Sequence, residues 1–236
     1  MTNPGTTLTR KALASLELFR GLPPAVQGEV LASARVRRLF RNTRIFNQGD
    51  SDVRAHMLID GSVRISQSGS EGGEIVMRLI GPGEMFGTVA LFTDRRYPAD
   101  AETMTDAIET SWSEGDLLKL MHRHPQIAVN ALKIFGKRLQ EVQDRVREVS
   151  TQRVEKRISH AILRLARQAG HETDGGTEIT FPLRRKDIAD LCATTLYSVS
   201  RVLTAWEKAG WLVTRDQQLT IRKPSEIRRV AEASDD

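Results

Sequence analysis

The feature that most constrains the fold is a heptad repeat of apolar residues in the second half of the chain. From Ala128 to Val149 the apolar positions alternate at spacings of four and three residues, and charged side chains flank them. Such a narrow stripe predicts an α-helix that pairs with another helix, because packing on a globular core favours a wider apolar face. Packing against the preceding part of the same chain is the alternative. We expect the helix to begin near Pro125, to extend for about 39 Å, and to pair with a second copy through Leu132, Phe135, Leu139, Val142, Val146 and Val149.

The segment before the heptad repeat has a β-type pattern. Between Arg35 and about Leu120, short apolar runs alternate with glycine turns such as Gln48-Gly49-Asp50 and Gly81-Pro82-Gly83. Short strands separated by such turns predict a β-barrel or β-roll. Helical patterns precede it, from Leu8 to Phe19 and from Pro24 to Leu31.

The segment after the repeat predicts a different fold. A new helical pattern begins at Val154, with Thr151 or Ser150 as its N-cap, and a break there would be a hinge. The pattern then predicts a strand, two helices separated by a short turn, and a hairpin: Glu178–Phe181, Arg184–Leu191, Leu196–Ala209, Trp211–Thr214 and Gln218–Ile221. This order is typical of a winged helix-turn-helix, which places its second helix in the DNA major groove.

The predicted fold class is therefore α+β. We expect residues 1–120 to form a β-roll domain with N-terminal helices, residues 121–150 a long dimerisation helix, and residues 151–236 a winged helix-turn-helix domain.

Composition limits the function. The chain of 236 residues has a net charge of +5, and residues 151–231 alone hold 15 basic and 9 acidic side chains, which suits phosphate binding without requiring it. The single cysteine, Cys192, excludes a four-cysteine zinc site or iron–sulfur cluster within one chain. No apolar run approaches the roughly 20 residues that cross a bilayer, and no apolar signal core is recognised near the start. We expect a soluble cytoplasmic protein without a membrane partner.

Catalytic motifs are absent from the sequence. It has no G-x-S-x-G nucleophile elbow, no phosphate-binding loop with a following Lys-Ser/Thr, and no H-E-x-x-H zinc motif. The chain is therefore expected not to be an enzyme.

Four short motifs, in order, carry a resemblance to the CRP/FNR family of bacterial transcription regulators. They are Phe46–Asp50, Asp60–Ile65, Gly81–Gly87 and Val199–Leu203, and the heptad helix lies between the third and the fourth. The resemblance implies a homodimer that binds an inverted repeat in double-stranded promoter DNA, contacts RNA polymerase and acts as an activator.

The resemblance also implies DNA-contacting residues. Base contacts would come from Thr194, Leu196, Tyr197, Ser198 and Arg201, and phosphate contacts from Arg184, Arg185, Lys186, Thr195 and Arg215. A guanidinium such as that of Arg201 can bind guanine O6 and N7 as a fork. The alternative for Arg201 is a salt bridge on a solvated helix face. Leu196 and Tyr197 replace residues that are often polar base readers in the family, so the half-site should differ.

The resemblance also implies that the β-roll domain senses an effector. Its pocket would be formed by Phe86, Gly87, Thr88, Val89, Tyr97, Pro98, Ala99, Leu139, Val142 and Gln143. Thr88, Pro98 and Ala99 stand where the cyclic-AMP pocket has Glu, Arg and Ser. A buried phosphate would then lack its cationic partner, so the sequence argues against cyclic AMP. The iron–sulfur version, which needs four cysteines, is excluded.

The effector therefore stays unknown. Tyr97–Ala101 is similar to the nitric-oxide-responsive, Dnr-like branch, which is associated with haem, and His56, His122 and His124 are the candidate axial ligands. A small metabolite and effector-independent DNA binding remain open, as does a cyclic-nucleotide-binding module that regulates a partner protein. In the regulated case, an effector in the roll would shift the helix pairing and rotate the winged domains about Ser150-Thr151.

Overall fold

The structure is a computed structural model that describes Leu13, residues 16–69 and residues 73–233. The chain divides into two compact units. The first contains the residues up to Ser68 together with Leu79–Glu141, and the second contains Gly69–Arg78 together with the residues from Val142 onward. No helix in the described part of the chain is long and apolar enough to cross a membrane.

The predicted β-roll lies in the first unit, except for residues 74–78 at the start of its fifth strand, which belong to the second unit. Its eight described strands are β1 (Arg35–Leu39), β2 (Arg44–Phe46), β3 (Arg54–Asp60), β4 (Val63–Ser68), β5 (Glu74–Ile80), β6 (Met85–Phe86), β7 (Asp100–Thr103) and β8 (Ala107–Ser113). They form two four-stranded sheets in the orders β1-β8-β3-β6 and β2-β7-β4-β5. Gly61 makes the turn after β3 at a φ of +90°, where a Cβ would lie only 2.4 Å from the carbonyl oxygen of Asp106. Only glycine fits this turn.

Helices lie before and after these strands in the sequence. A short 3-10 helix covers Glu17–Phe19, followed by α1 (Pro24–Ala32), α2 (Glu114–Arg123) and α3 (Pro125–Thr151). The start of the predicted helix from Leu8 lies outside the described residues. Helix α2 was not predicted, although Ser113 caps it by accepting a hydrogen bond from the Asp116 amide at 3.1 Å.

A buried chain of charged and polar side chains crosses the roll between β1, β8 and β3. Glu109 is completely buried and accepts hydrogen bonds from Arg37 Nη2 at 2.6 Å and from His56 Nδ1 at 2.7 Å. Burial alone would raise the pKa of Glu109, but the hydrogen bond and charge of His56, together with Arg37, hold this pKa below the ordinary 4.5. The carboxylate is therefore ionised in the fold and depends on both partners.

Glu109→Gln is expected to destabilise the protein by about 3 kcal/mol at pH 7, because it leaves a half-buried guanidinium without its counter-charge. Because the pKa of Glu109 is lower in the folded state, its carboxylate contributes its full stabilisation of the fold above pH 4.5. This stabilisation is lost as the pH falls below that value. Urea unfolding followed by circular dichroism should show less acid destabilisation for the variant than for the wild type. Glu17→Gln removes a surface ion pair with Lys137 and serves as the control. An unchanged unfolding midpoint at pH 7 for Glu109→Gln would contradict the prediction.

The second unit contains the predicted winged helix-turn-helix. Besides the end of α3, it holds α4 (Val154–Ala169), β9 (Gly170–Thr173), β10 (Gly176–Ile179), α5 (Arg185–Leu191), α6 (Leu196–Lys208), β11 (Leu212–Arg215), β12 (Gln218–Ile221) and α7 (Pro224–Glu232). The sheet order is β11-β12-β10-β9. Buried apolar residues of the three longer helices, such as Ile158, Ile162, Val199, Leu203 and Ile227, line its interior.

The structure corrects the prediction at the start of α4. The N-cap is Arg153, not Thr151 or Ser150, and the break between α3 and α4 falls at Gln152-Arg153. The hydroxyls of Ser150 and Thr151 instead bond back to the carbonyls of Val146 and Arg147, each at 2.9 Å. Ser and Thr hydroxyls can donate to the carbonyl four residues earlier in the same helix, so α3 continues through both residues. The predicted position of the helix break is therefore wrong by two residues.

Strand β9 and helix α7 were not predicted. Gly170 begins β9 and Gly176 begins β10, although glycines are more typical of turns than of strands. The predicted strand at Glu178–Phe181 is displaced, since β10 ends at Ile179.

Candidate nucleic-acid interface

The two helices of the helix-turn-helix approach each other closely. Ala189 on α5 is buried, and its small side chain allows the two helices to cross at close range. The chain then turns at Ala193, whose φ is +48°. The turn is held by hydrogen bonds from the Ala193 and Thr194 amides to the carbonyls of Asp190 and Ala189.

Helix α6 presents its first turn to solvent. Thr195 is the N-cap, and its hydroxyl accepts a hydrogen bond from the Ser198 amide at 3.1 Å and bonds to the Ser198 hydroxyl at 3.0 Å. Leu196 is 52% exposed and Tyr197 is 77% exposed. These two exposed side chains lie at the capped start of the helix. They form a surface suited to contact with thymine methyl groups and sugars.

Arg201 lies one turn further along the same face. Its side chain is exposed, and it has no hydrogen-bond or ion-pair partner among the residues that the structure describes. A shallow groove follows this face of α6 and is lined by Tyr197, Ser200, Arg201, Thr204, Ala205 and Lys208. Ser200, Thr204 and Lys208 were not predicted as part of this surface. Their signal was the spacing of 197, 201, 204 and 208, which forms a polar stripe opposite the buried Val199, Val202, Leu203 and Trp206.

The predicted phosphate contacts on α5 already have acidic partners. Arg184 forms an ion pair with Asp187 at 2.6 Å and Lys186 with Asp190 at 2.9 Å. Arg185 reaches Glu207 of α6 at 3.2 Å and so links the two helices. A phosphate bound here would share these cations with carboxylates, which weakens each contact relative to a cation without such a partner.

The wing supplies a further basic group. Arg215 ends β11 and is exposed, with no ion pair in the described part of the chain. The tip of the wing is fixed by the positive φ of Asp216 and Gln217 and by a hydrogen bond of 2.7 Å from the Leu183 amide to the Gln217 carbonyl. Thr194, Leu196, Tyr197, Ser198 and Arg201 thus lie within eight residues of the chain, on or just before α6, while Arg215 lies on the wing of the same unit.

In the roll, Tyr97 of the predicted effector pocket packs against other aromatic rings. Tyr97 is buried and stacks on Phe46 with ring centres 3.7 Å apart. Its hydroxyl accepts a hydrogen bond from the Arg54 amide at 2.7 Å and lies 3.0 Å from His56 Nε2. Burial raises the pKa of Tyr97 to about 12, so the phenol stays neutral. A Cβ on Gly87 would lie 2.8 Å from the His56 ring.

The remaining pocket residues divide between surroundings of different kinds. Phe86 and Ala99 are buried, whereas Val89 and Pro98 are exposed. Thr88 lines a separate apolar crevice with Phe92, Phe135 and Met121, among others. Leu139 is exposed on α3, and Val142 and Gln143 belong to the second unit and are exposed as well.

The three candidate haem ligands are poorly suited to bind iron. Both ring nitrogens of His56 are engaged, with Glu109 and with Tyr97. The Nε2 atom of His124 lies 3.2 Å from a carboxylate oxygen of Glu29. His122 is exposed in the last turn of α2. His56 and His124 are therefore engaged with partners of the protein, and His122 faces solvent.

The apolar seam of α3 is largely open to solvent in one chain. Leu132 is 70%, Leu139 60% and Val146 63% exposed, and Val142 and Val149 are also exposed. Phe135 differs, because its ring packs edge-on against Phe92 at 5.4 Å. The described helix, 27 residues long, covers the whole predicted heptad repeat.

A β-roll followed by a long helix and a winged helix-turn-helix defines a class of DNA-binding regulators. Comparison with known families agrees: residues 36–124 match the cyclic nucleotide-binding domain and residues 156–230 match the Crp-like helix-turn-helix domain. The chain belongs to the CRP/FNR family of transcription regulators. This family is not enzymatic.

Relatives resemble the chain over nearly its full length. The cyclic AMP receptor protein of Thermus thermophilus is 29% identical over 215 residues, which cover 91% of this chain and 96% of that protein. The CRP-like cAMP-activated global transcriptional regulator of Mycobacterium tuberculosis is 23% identical over 219 residues, covering 93% and 98%. The solved structure of FixK2 from Bradyrhizobium japonicum is similar in fold, with a TM-score of 0.74 and 20% sequence identity, and the match covers 85% of this chain and 98% of that chain.

Proposed function

We propose that the protein is a homodimeric regulator that binds an inverted repeat in promoter DNA in the bacterial cytoplasm and reads each half-site with α6. The observation that carries this proposal is the exposed face of α6, where Arg201 has no partner among the described residues beside the solvent-exposed Tyr197. A guanidinium without an intramolecular partner is available for guanine, whereas Arg185 is occupied by Glu207.

The open seam of α3 supports the homodimer. Leu132, Leu139, Val142 and Val146 are each more than half exposed and lie at heptad spacing. Apolar side chains in this arrangement lose contact with water when a second identical helix covers them, and symmetric pairing of the same surface is the commonest form of oligomer. Two copies would place two α6 helices on half-sites about one helical turn, roughly 34 Å, apart.

Regulation by cyclic AMP is not part of the proposal, although relatives are described as cAMP-activated. Thr88, Pro98 and Ala99 supply no charge for a phosphate, and the rings of Tyr97, Phe46 and His56 pack together beside this position. Haem is disfavoured by the engaged nitrogens of His56. We propose DNA binding that requires neither group, with any effector being a different small molecule. We also propose that the protein activates transcription through RNA polymerase, as membership of the family implies.

Selection of bound sequences from a random duplex pool tests the proposal. The purified protein should enrich an inverted repeat with half-site centres about 10 base pairs apart, and added cyclic AMP should change neither the motif nor the enrichment. Failure to enrich any motif would overturn sequence-specific binding. Enrichment that requires cyclic AMP would overturn the assignment of the roll, and a single unrepeated half-site would overturn the homodimer.

A further inference from the structure

Two arginines hold the turn that precedes α6, and neither has a role in the contacts described so far. The first is Arg145 in the last part of α3. It is half-buried and donates hydrogen bonds to the carbonyl of Leu191 at 2.9 Å and to the carbonyl of Met77 at 3.0 Å. Leu191 is the last residue of α5, and all three residues belong to the second unit. Arg145 thus ties the end of α5 to α3 and to strand β5.

The second is Arg157 in the first turn of α4. One terminal nitrogen donates to the carbonyl of Val149 at 3.1 Å and the other to the carbonyl of Ala193 at 3.3 Å. Val149 lies in the last turn of α3, and Ala193 lies in the turn between α5 and α6. One side chain therefore links the end of the seam helix to the turn of the helix-turn-helix.

The acceptors explain why guanidinium groups occupy these positions. Two of the four acceptors, Leu191 and Val149, lie at helix ends, where the last carbonyls have no partners within the helix and cations are favourable. A planar guanidinium has donors on separate nitrogens and can bridge two carbonyls at once, whereas a lysine ammonium is a single point. Arg145 and Arg157 are each used in this bridging way.

The held segment is strained and lies directly before the DNA-facing helix. Ala193 has a φ of +48°, a conformation that residues other than glycine adopt at a cost and keep only when the surroundings impose it. Two residues later Thr195 caps α6. Between the two arginine contacts lies Cys192, which is buried and whose thiol lies 3.6 Å from the carbonyl of Arg157.

We propose that Arg145 and Arg157 are positioning residues that set the orientation of α6 by clamping residues 191–193 to the end of α3. They act on DNA reading without touching DNA. The inference rests on the proposed function, since it concerns how α6 is presented to a half-site. It goes beyond that function by assigning a structural link between the seam helix and the reading helix to two named side chains.

The reactivity of Cys192 can report on this clamp, because Cys192 lies within residues 191–193 and is the only cysteine of the chain. Burial raises the pKa of its thiol to about 11, so the folded protein should react slowly with a thiol reagent such as 5,5′-dithiobis(2-nitrobenzoate). Loosening of residues 191–193 should expose the thiol and accelerate the reaction.

The test compares Arg145→Lys and Arg157→Lys with Arg167→Lys. Each variant keeps the charge, and Arg167 is an exposed residue of α4 that serves as the matched control. Without DNA, the two clamp variants should react about tenfold faster at Cys192, because each loses a pair of charge-assisted hydrogen bonds. Their ratio of specific to non-specific DNA affinity should fall about fivefold. The slope of affinity against salt should not change, because no phosphate contact is removed.

Each outcome of this test either supports or overturns the proposed clamp. Unchanged thiol reactivity, or an unchanged specificity ratio in a wild type that binds DNA specifically, would overturn the clamp. A smaller salt slope in Arg145→Ala or Arg157→Ala, which remove the charge, would show that the arginines contact phosphate instead. Urea midpoints measured in parallel identify a purely structural role, in which reactivity rises only in step with lost global stability, and this outcome also overturns the proposal. If the wild type binds no specific site, the proposed function fails, while the DNA-free thiol rates still decide whether the two arginines hold the turn.

Discussion

Arg201→Ala is expected to remove most of the sequence preference while leaving weak, salt-sensitive DNA binding. The guanidinium is exposed and makes no ion pair with any described residue, so its loss should not disturb the fold. A bidentate contact to guanine contributes about 1–3 kcal/mol of discrimination, which corresponds to a fall of about 5- to 150-fold in the specificity ratio. Competition gel shifts with the selected site and with a scrambled duplex measure this ratio directly.

Arg167→Ala is the control for this experiment. It removes the same charge from an exposed position on α4, a helix that is not expected to enter the groove. Its specificity ratio should match that of the wild type. If Arg201→Ala also keeps the wild-type ratio, then Arg201 is a solvated surface residue and the assignment of α6 as the reading element through this side chain is wrong.

Leu139→Glu is expected to abolish the dimer. Leu139 is 60% exposed in the single chain, so the substitution should leave the fold of each chain intact. In a paired seam the new carboxylate would be buried without a counter-charge, at a cost of about 3–5 kcal/mol, so self-association should weaken by at least about 100-fold. Light scattering coupled to size-exclusion chromatography should give a mass near 26.4 kDa for the variant and twice that for the wild type.

Gln140→Glu introduces the same charge at the neighbouring exposed position, outside the heptad seam. It should remain dimeric and bind the selected inverted repeat as the wild type does. A dimeric Leu139→Glu protein would show that the seam is not the interface. A monomeric wild type at micromolar concentration would show that the exposed stripe of α3 has another use.

Periodicity explains which parts of the fold could be predicted. The heptad repeat predicted α3 almost to the residue, because its stripe repeats for three heptads and Pro125 suits the first turn of a helix. The glycine turns predicted the β-roll, and the helix-turn-helix was predicted with helix ends within one residue. Helix α2 was missed even though Ser113 and Asp116 have the spacing of a cap. Strand β9 was missed because its four exposed residues have no apolar alternation.

The residues of the candidate interface were predicted from a resemblance, and their availability was not. Arg201 and Arg185 are both arginines of the helix-turn-helix, and nothing in the local sequence distinguishes them. Folding brings Glu207 to Arg185 across 22 positions of sequence and brings no described acid to Arg201. Tertiary contacts also decide the state of His56 in the roll, which the sequence made a candidate haem ligand. Its Nδ1 atom forms a hydrogen bond with Glu109, which lies 53 positions away in the sequence.

The sequence by itself determined the local elements and their order, because helix stripes, glycine turns and caps act over a few residues. It thereby determined the class of protein as well. Only the tertiary structure decided which charges are free to bind a partner and which are already paired, and which side chains fill the roll. It also decided that Arg145 and Arg157 hold the turn before α6. The physical reason is that hydrogen bonds and ion pairs act over about 3 Å, and only the folded chain brings such distant groups that close.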